Sequence, residues 1–279
     1  MIPAVNSWIF PRESKPEQQL ETAARAGFSG IEPVIGEREA LTFSTPASVF
    51  TDLARCAADL NLPIVSLATG DFWDASYGDA SPEKRQKARD MTMVMLDRAV
   101  DLGAPAILVV PAVVGLPDEP RGRVTYADAL SRSMEELHCL RHEAAARDVT
   151  IGIENVPNRF LLSPVEFADF IDRVNSGYVG VYLDVGNVLP IGYPEDWITT
   201  LGHRIRCVHV KECDLTQPGC AERPALGEGS VDWPGVMTAL RKVGYDGAMT
   251  YEGEGDPPDV CRRLENILRA RYEAGEENT

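Results

Sequence analysis

Four short apolar runs each carry a group that can bind a cation or move a proton: Glu154 in TIGIENV (Thr150–Val156), Asp184 in YVGVYLDVGN (Tyr178–Asn187), His209 in IRCVHVK (Ile205–Lys211) and Glu252 in AMTYEG (Ala248–Gly253). A carboxylate at the end of a buried strand needs a hydrogen-bond partner, a cation or water, because an unpaired buried charge is costly. Residues two apart on a strand share a face, so Gly152 with Glu154, Tyr182 with Asp184, Cys207 with His209 and Lys211, and Thr250 with Glu252 form four such pairs or rows. If these faces converge, three carboxylates and one imidazole meet, and the carboxylates repel one another and take up protons unless a cation joins them. Two Glu, one Asp and one His make an oxygen-rich site with one nitrogen. Such a site suits Mn first, with Mg, Co, Zn and Fe also fitting. Taken singly, a strand-end acid is more often a loop anchor or helix cap, and a lone histidine more often a satisfied core residue. The weight lies in the set of four.

The elements that must position these groups alternate along the chain. Strands are expected at Ala4–Ile9, Phe28–Val34, Pro63–Thr69, Ala106–Val113, Thr150–Val156, Val179–Asp184, Ile205–Lys211 and Ala248–Gly253, from their β-branched and apolar composition. Helices are expected at Pro16–Ala26, Pro46–Leu60, Pro82–Leu102, Tyr126–Arg147, Pro164–Val174, Pro194–Leu201, Trp233–Val243 and Pro257–Tyr272, many opened by Pro or Ser, with Gly275–Thr279 frayed. Strand–helix alternation with short connections calls for a parallel sheet, and eight such units close it into a (β/α)8 TIM barrel, here a single domain over residues 1–279. No GxGxxG follows the first strand to favour a doubly wound open sheet or a nucleotide cofactor. In such barrels the chemistry sits where the strands end, which gives the four groups a common location. The loop Gly70–Ala80 carries Phe72 and Trp73, which suit either a lid or packing over the barrel mouth.

The 279 residues include 43 acidic and 27 basic side chains, a formal charge of −16 that opposes nonspecific attraction to nucleic acid or anionic lipid. No apolar run has the length of a membrane span, and Met1–Pro11 lacks the marks of a signal peptide, so the expected location is the cytoplasm. Six cysteines without a CxxC pair are expected to be reduced thiols.

At the four strand-end groups the chain resembles the sugar phosphate isomerase/epimerase superfamily of xylose isomerase-like barrels, through IGIENVPN, VYLDVGN, VHVKECD, LGEGSVDW, GYDGAMTYEGE and the earlier GFSGIEP. DVGN and HVK look most like its pentulose-5-phosphate 3-epimerase-like branch. The resemblance implies one divalent metal on Glu154, Asp184, His209 and Glu252, and a small sugar or sugar-acid substrate, with a homo-oligomer compatible. Many members carry histidine three positions after the aspartate where this chain has Asn187, whose amide can bond a substrate hydroxyl but cannot shuttle protons. Metal and substrate together suggest epimerisation or isomerisation of a ketose, ketose phosphate or keto-sugar acid through an enediolate, with Glu154 and Glu252 removing and returning the proton. Lys211 is expected to meet an oxyanion or a substrate anion, with a salt bridge to Glu252 or Glu254 as the alternative. Glu32 is expected to bind a hydroxyl or that lysine. The alternatives are a dehydratase, whose product is lighter by one water, and an endonuclease, which four histidines in all and the acidic balance disfavour.

Overall fold

The computed structural model describes residues 1–116, 118–119, 122–217, 220 and 223–270. Among them seven strands run parallel: β1 (Ile2–Asn6), β2 (Gly30–Glu32), β3 (Ala106–Val109), β4 (Thr150–Glu154), β5 (Val179–Asp184), β6 (Ile205–Val210) and β7 (Ala248–Tyr251). They pair in the order β2-β1-β7-β6-β5-β4-β3. Residues 63–69 fill the gap between β2 and β3, where Ile64 and Ala68 bridge to Ile31 and Val34, and Leu67 bridges to Ile107. The expected third strand therefore stands in its place and closes the TIM barrel, but as isolated parallel bridges. Pro33 and Pro63 lie on the two sides of this seam, and a proline nitrogen cannot donate to a ladder, so their carbonyls accept while the matching donor bonds are missing.

Several strands stop earlier than composition predicts. Asn6 ends β1 because its side chain accepts the Trp8 N–H at 2.8 Å and starts a tight turn, Ser7–Ile9. Lys211 and Glu252 lie one residue beyond their strands, although the Glu252 N–H still bonds the Val210 carbonyl at 3.0 Å. Gly180 of β5 faces a register shift in which Tyr182 pairs with Cys207 while Val181 pairs with Ile205. A Cβ on Gly180 would meet the Arg206 side chain at 2.4 Å, so only glycine fits beside that bulge.

The helices α1 (Pro16–Ala26), α2 (Ala47–Asp59), α3 (Pro82–Leu102), α4 (Tyr126–Arg147), α5 (Pro164–Val174), α6 (Val185–Val188), α7 (Pro194–Leu201), α8 (Trp233–Lys242) and α9 (Pro257–Arg269) wrap the sheet. Ser81, Thr125, Ser163, Asp232 and Asp256 each accept a first-turn backbone N–H, which satisfies an otherwise orphaned donor. α6 is a single turn that the sequence reading did not anticipate, and Asp184 caps it. α9 ends at Arg269; the expected continuation to Tyr272 and the end Gly275–Thr279 lie outside the described residues. Helix faces such as Phe167, Phe170 and Ile171 of α5 bury against the barrel, each large side chain contributing roughly 1.5–3 kcal/mol.

Phe72 is fully buried edge-to-face against Tyr77, at a centroid distance of 5.9 Å, so it packs rather than forming a lid. Cys213 and Cys220 are paired as a disulfide with Cα atoms 5.1 Å apart, which corrects the expectation of six thiols; Cys56, Cys139, Cys207 and Cys261 are free. A seven-residue separation carries no sequence signature, and the pairing depends on the chain after β6 folding back on itself. At the strand-start end of the barrel a cavity of about 540 Å³ is lined by Ile64, Ser66, Ala106, Tyr182, Cys207 and Ala248, among others. Among the described residues no helix is long and apolar enough to cross a membrane.

Candidate active site

The four strand-end groups converge. One ligand atom from each of Glu154, Asp184, His209 and Glu252 lies within 4.8 Å of the others, as the parity of the four strands requires. Register supports this directly, since Asp184 pairs with His209 and His209 with Thr250 across adjacent strands. Nδ1 of His209 is 3.2 Å from Oε1 of Glu154 and 3.7 Å from Oε2 of Glu252. Glu154, Asp184 and His209 are buried, while the Glu252 side chain keeps 17% of its surface, which marks the side from which a ligand can arrive.

Each oxygen of Asp184 has a separate task. Oδ1 accepts the Asn187 N–H at 2.9 Å and caps α6. Oδ2 is buried without a hydrogen bond; Nζ of Lys211 stands 2.7 Å away as an ion pair, off the hydrogen-bonding direction. Asn155 fixes the backbone here, donating to the Asp184 carbonyl at 2.9 Å and accepting its N–H at 2.8 Å. Asn187 donates its amide to the Asn155 carbonyl at 3.0 Å, so that donor ties α6 to the residue just after β4.

Lys211 also donates to Oε2 of Glu252 at 2.5 Å. This is the salt-bridge alternative considered from the sequence, extended to a second carboxylate. Glu32 departs from its expected place. It neither reaches Lys211 nor offers a free oxygen: Oε1 accepts from Asn6 at 2.6 Å and lies 2.6 Å from Nε2 of His209, while Oε2 accepts from Ser66 at 2.6 Å and Tyr182 at 2.7 Å. Its carboxylate is fully enclosed, so a substrate hydroxyl finds no access. Asn6, Ser66 and Tyr182 escaped the sequence reading as functional residues. Only Tyr182 left a signal, sharing its strand face with Asp184.

Burial pushes the Glu154 carboxyl up to about 7, with Glu252 and Asp184 adding to the rise and His209 opposing it. Burial acts in the same direction on Glu252, but Lys211 and His209 outweigh it and hold that group down at about 2. Asp184 is raised by burial against the pull of Lys211. Burial alone would lower His209, yet Glu32 and Glu154 keep it well above the imidazole range. Lys211 is likewise raised, by Asp184 and Glu252 against its burial. Four carboxylates here face two cationic side chains. That excess of negative charge, the hard oxygen donors and the unbonded Oδ2 of Asp184 fit one divalent ion on Glu154, Asp184, His209 and Glu252.

A family model described as the xylose isomerase-like TIM barrel matches residues 20–272. The chain belongs to that family. Among relatives in the xylose isomerase-like barrel family, the provisionally named L-ribulose-5-phosphate 3-epimerase SgbU of Escherichia coli K12 is 26% identical over 245 residues, covering 84% of this chain and 82% of its own. The L-ribulose 3-epimerase of Mesorhizobium japonicum is 28% identical over 251 residues, covering 86% and 76%. A crystal structure of a D-tagatose 3-epimerase-like protein superposes with a TM-score of 0.80 at 20% identity, over 96% of this chain and 97% of that one, a likeness of fold. Family, relatives and buried cluster together support an enzyme of the epimerase kind.

Proposed function

We propose that the protein is a divalent-metal-dependent 3-epimerase of a ketose or ketose phosphate, in which Glu154 and Glu252 handle the proton. The observation that carries this reading is the meeting of both glutamates at one imidazole nitrogen, 3.2 and 3.7 Å from Nδ1 of His209. Carboxylates from the end of β4 and from just beyond β7 thus border one small volume, and a carbon held between them can lose a proton to one and regain it from the other. A divalent ion on the four ligands would supply Lewis acidity toward vicinal substrate oxygens and make the neighbouring C–H more acidic. One glutamate accepts that proton and the other returns one to the opposite face, which inverts the carbon. Lys211, held between Asp184 and Glu252, is placed to meet a developing oxyanion or an anionic substrate group. The Asn187 side chain is only partly buried, and its amide oxygen is a candidate acceptor for a substrate hydroxyl. The relatives named as L-ribulose or L-ribulose-5-phosphate 3-epimerases support the choice of carbon 3 and of a five-carbon ketose class.

The test is incubation of Mn-loaded protein with ketoses and ketose phosphates in heavy water. The expected product carries solvent deuterium at the inverted carbon. Glutamine keeps the side-chain shape but cannot accept a proton at neutral pH, so Glu154→Gln and Glu252→Gln, with excess metal restored, should each lose at least ~100-fold in rate. A product lighter by one water, or full activity in either variant, overturns the reading.

A further inference from the structure

Glu32 is saturated by protein donors from four other segments. Asn6 ends β1, Ser66 belongs to residues 63–69, Tyr182 lies in β5 and His209 in β6, and each places a polar atom 2.6–2.7 Å from the carboxylate. A carboxylate has about four lone-pair sites, and these four partners use them all. Asn6 is also the register partner of Glu32 across β1 and β2, so the first contact is built by strand pairing alone. Glu32 is fully enclosed, so these four contacts are its whole polar environment.

With the Asn6 amide and the Ser66 and Tyr182 hydroxyls all donating to it, the Glu32 carboxylate acts only as an acceptor, so Nε2 of His209 at 2.6 Å carries its hydrogen toward it. The other ring nitrogen, Nδ1, faces Glu154 and Glu252, so it is the nitrogen that can give up its proton and coordinate an ion among the four ligands. Tyr182 acts twice, donating to Glu32 and packing its ring on the imidazole at a centroid distance of 4.3 Å and an angle of 52°. We infer that Glu32, held by Asn6, Ser66 and Tyr182, is the positioning residue of the metal centre: it fixes the tautomer and ring angle of His209 so that Nδ1 is the ligand atom. Carboxylates behind metal-bound histidines raise ligand basicity and lock orientation, and their loss typically costs about 10–100-fold in metal affinity.

This inference rests on the metal-centre reading of the site, and the experiment separates the two. Mn2+ binding to the full chain is read from the EPR signal of free ion, for the wild type, Glu32→Gln, Tyr182→Phe and Ser66→Ala. Glutamine fills the same space and can still accept from Asn6 and His209, so Glu32→Gln should fold and lose about 10-fold or more in affinity, and Glu32→Ala still more. Tyr182→Phe keeps the ring and removes one donor, and should lose affinity by a smaller factor. Nitrogen-15 NMR of the Zn2+-loaded wild type should show His209 protonated on Nε2 and metal-bound through Nδ1. A purely structural Glu32 would lower the melting temperature of these variants without changing affinity per folded chain. A wild type that binds Mn2+ while Glu32→Gln and Tyr182→Phe match it within a factor of two, or Nε2 found as the ligand, overturns the inference alone. A wild type that takes up no divalent ion overturns the metal centre itself.

Discussion

Replacing Lys211 with methionine removes a charge from the rim of the metal centre while leaving its carbon stem. Nζ stands 2.5 Å from Oε2 of Glu252 and 2.7 Å from Oδ2 of Asp184, so ammonium and metal ion address the same two carboxylates. An ion at the usual ~2.0–2.6 Å from such oxygens has its centre about 4–5 Å from Nζ. A dication and an ammonium at that separation repel by roughly 7 kcal/mol at an effective dielectric of about 20. Much of this does not reach the measured affinity, because carboxylates stripped of their lysine take up protons that the metal must then displace. A residual of about 1.4–2.8 kcal/mol remains a fair expectation, which makes Mn2+ bind ~10–100-fold more tightly to Lys211→Met. Competition with a fluorescent chelator near pH 8, where proton competition is weakest, reads this directly. Turnover should move the opposite way if Nζ also meets the substrate. Unchanged or weaker metal binding would show that Lys211 supports the ligands instead of competing for them.

Metal uptake should depend on pH with a definite sign: Glu154, pushed up to about 7, and His209, raised above the imidazole range, hold protons that coordination expels. Apparent Mn2+ affinity therefore rises from about pH 6 to 8 by up to ~10-fold per unit for each proton released, and a flat titration would contradict that protonation pattern. Chelation should lower the melting temperature, since ion at ~100 times its dissociation constant adds about 2.7 kcal/mol to the folded state, and calorimetry with and without EDTA measures it. Gly152→Ala should cost ~1–3 kcal/mol by overpacking, because its Cβ would sit 3.1 and 3.2 Å from Tyr182 atoms and 3.3 Å from the Ile107 carbonyl oxygen. Urea unfolding decides this, and wild-type stability would mean that the Tyr182 ring can yield.

The barrel and the meeting of Glu154, Asp184, His209 and Glu252 were legible because both follow from local rules: strand composition fixes where the elements run, and a two-residue period fixes which side chains share a face. The third barrel segment was placed correctly, but its broken ladder depends on prolines acting across the seam with β2. Glu32 shows where such reading stops. Its position at the end of β2 was visible as a strand-end acid, yet its partners Ser66, Tyr182 and His209 lie 34, 150 and 177 residues away in sequence. Nothing local separates an acid that greets a substrate from one that braces an imidazole. Lys211 had two readings for the same reason, and the distance to Asp184 across β5 and β6 was invisible until the strands were paired. The α6 turn was missed because four residues carry too little periodicity, although Asp184 before a glycine-bearing run is a cap signal in retrospect.

The layer formed by Glu32, Ser66 and Tyr182 has a second consequence, for traffic through the barrel. Ser66 and Tyr182 present one side to Glu32 and also line the cavity of about 540 Å³ at the opposite end, so the septum between that cavity and Glu154 is made of these two side chains together with Glu32 and His209. If that septum keeps water out, the glutamates exchange protons with bulk water through the mouth, where Glu252 keeps its exposed surface. The ratio of deuterium gained to sugar inverted then clocks how often that mouth opens per turnover. A hole cut in the septum, as by Tyr182→Ala, would give solvent a back door and uncouple that clock from the entry of sugar.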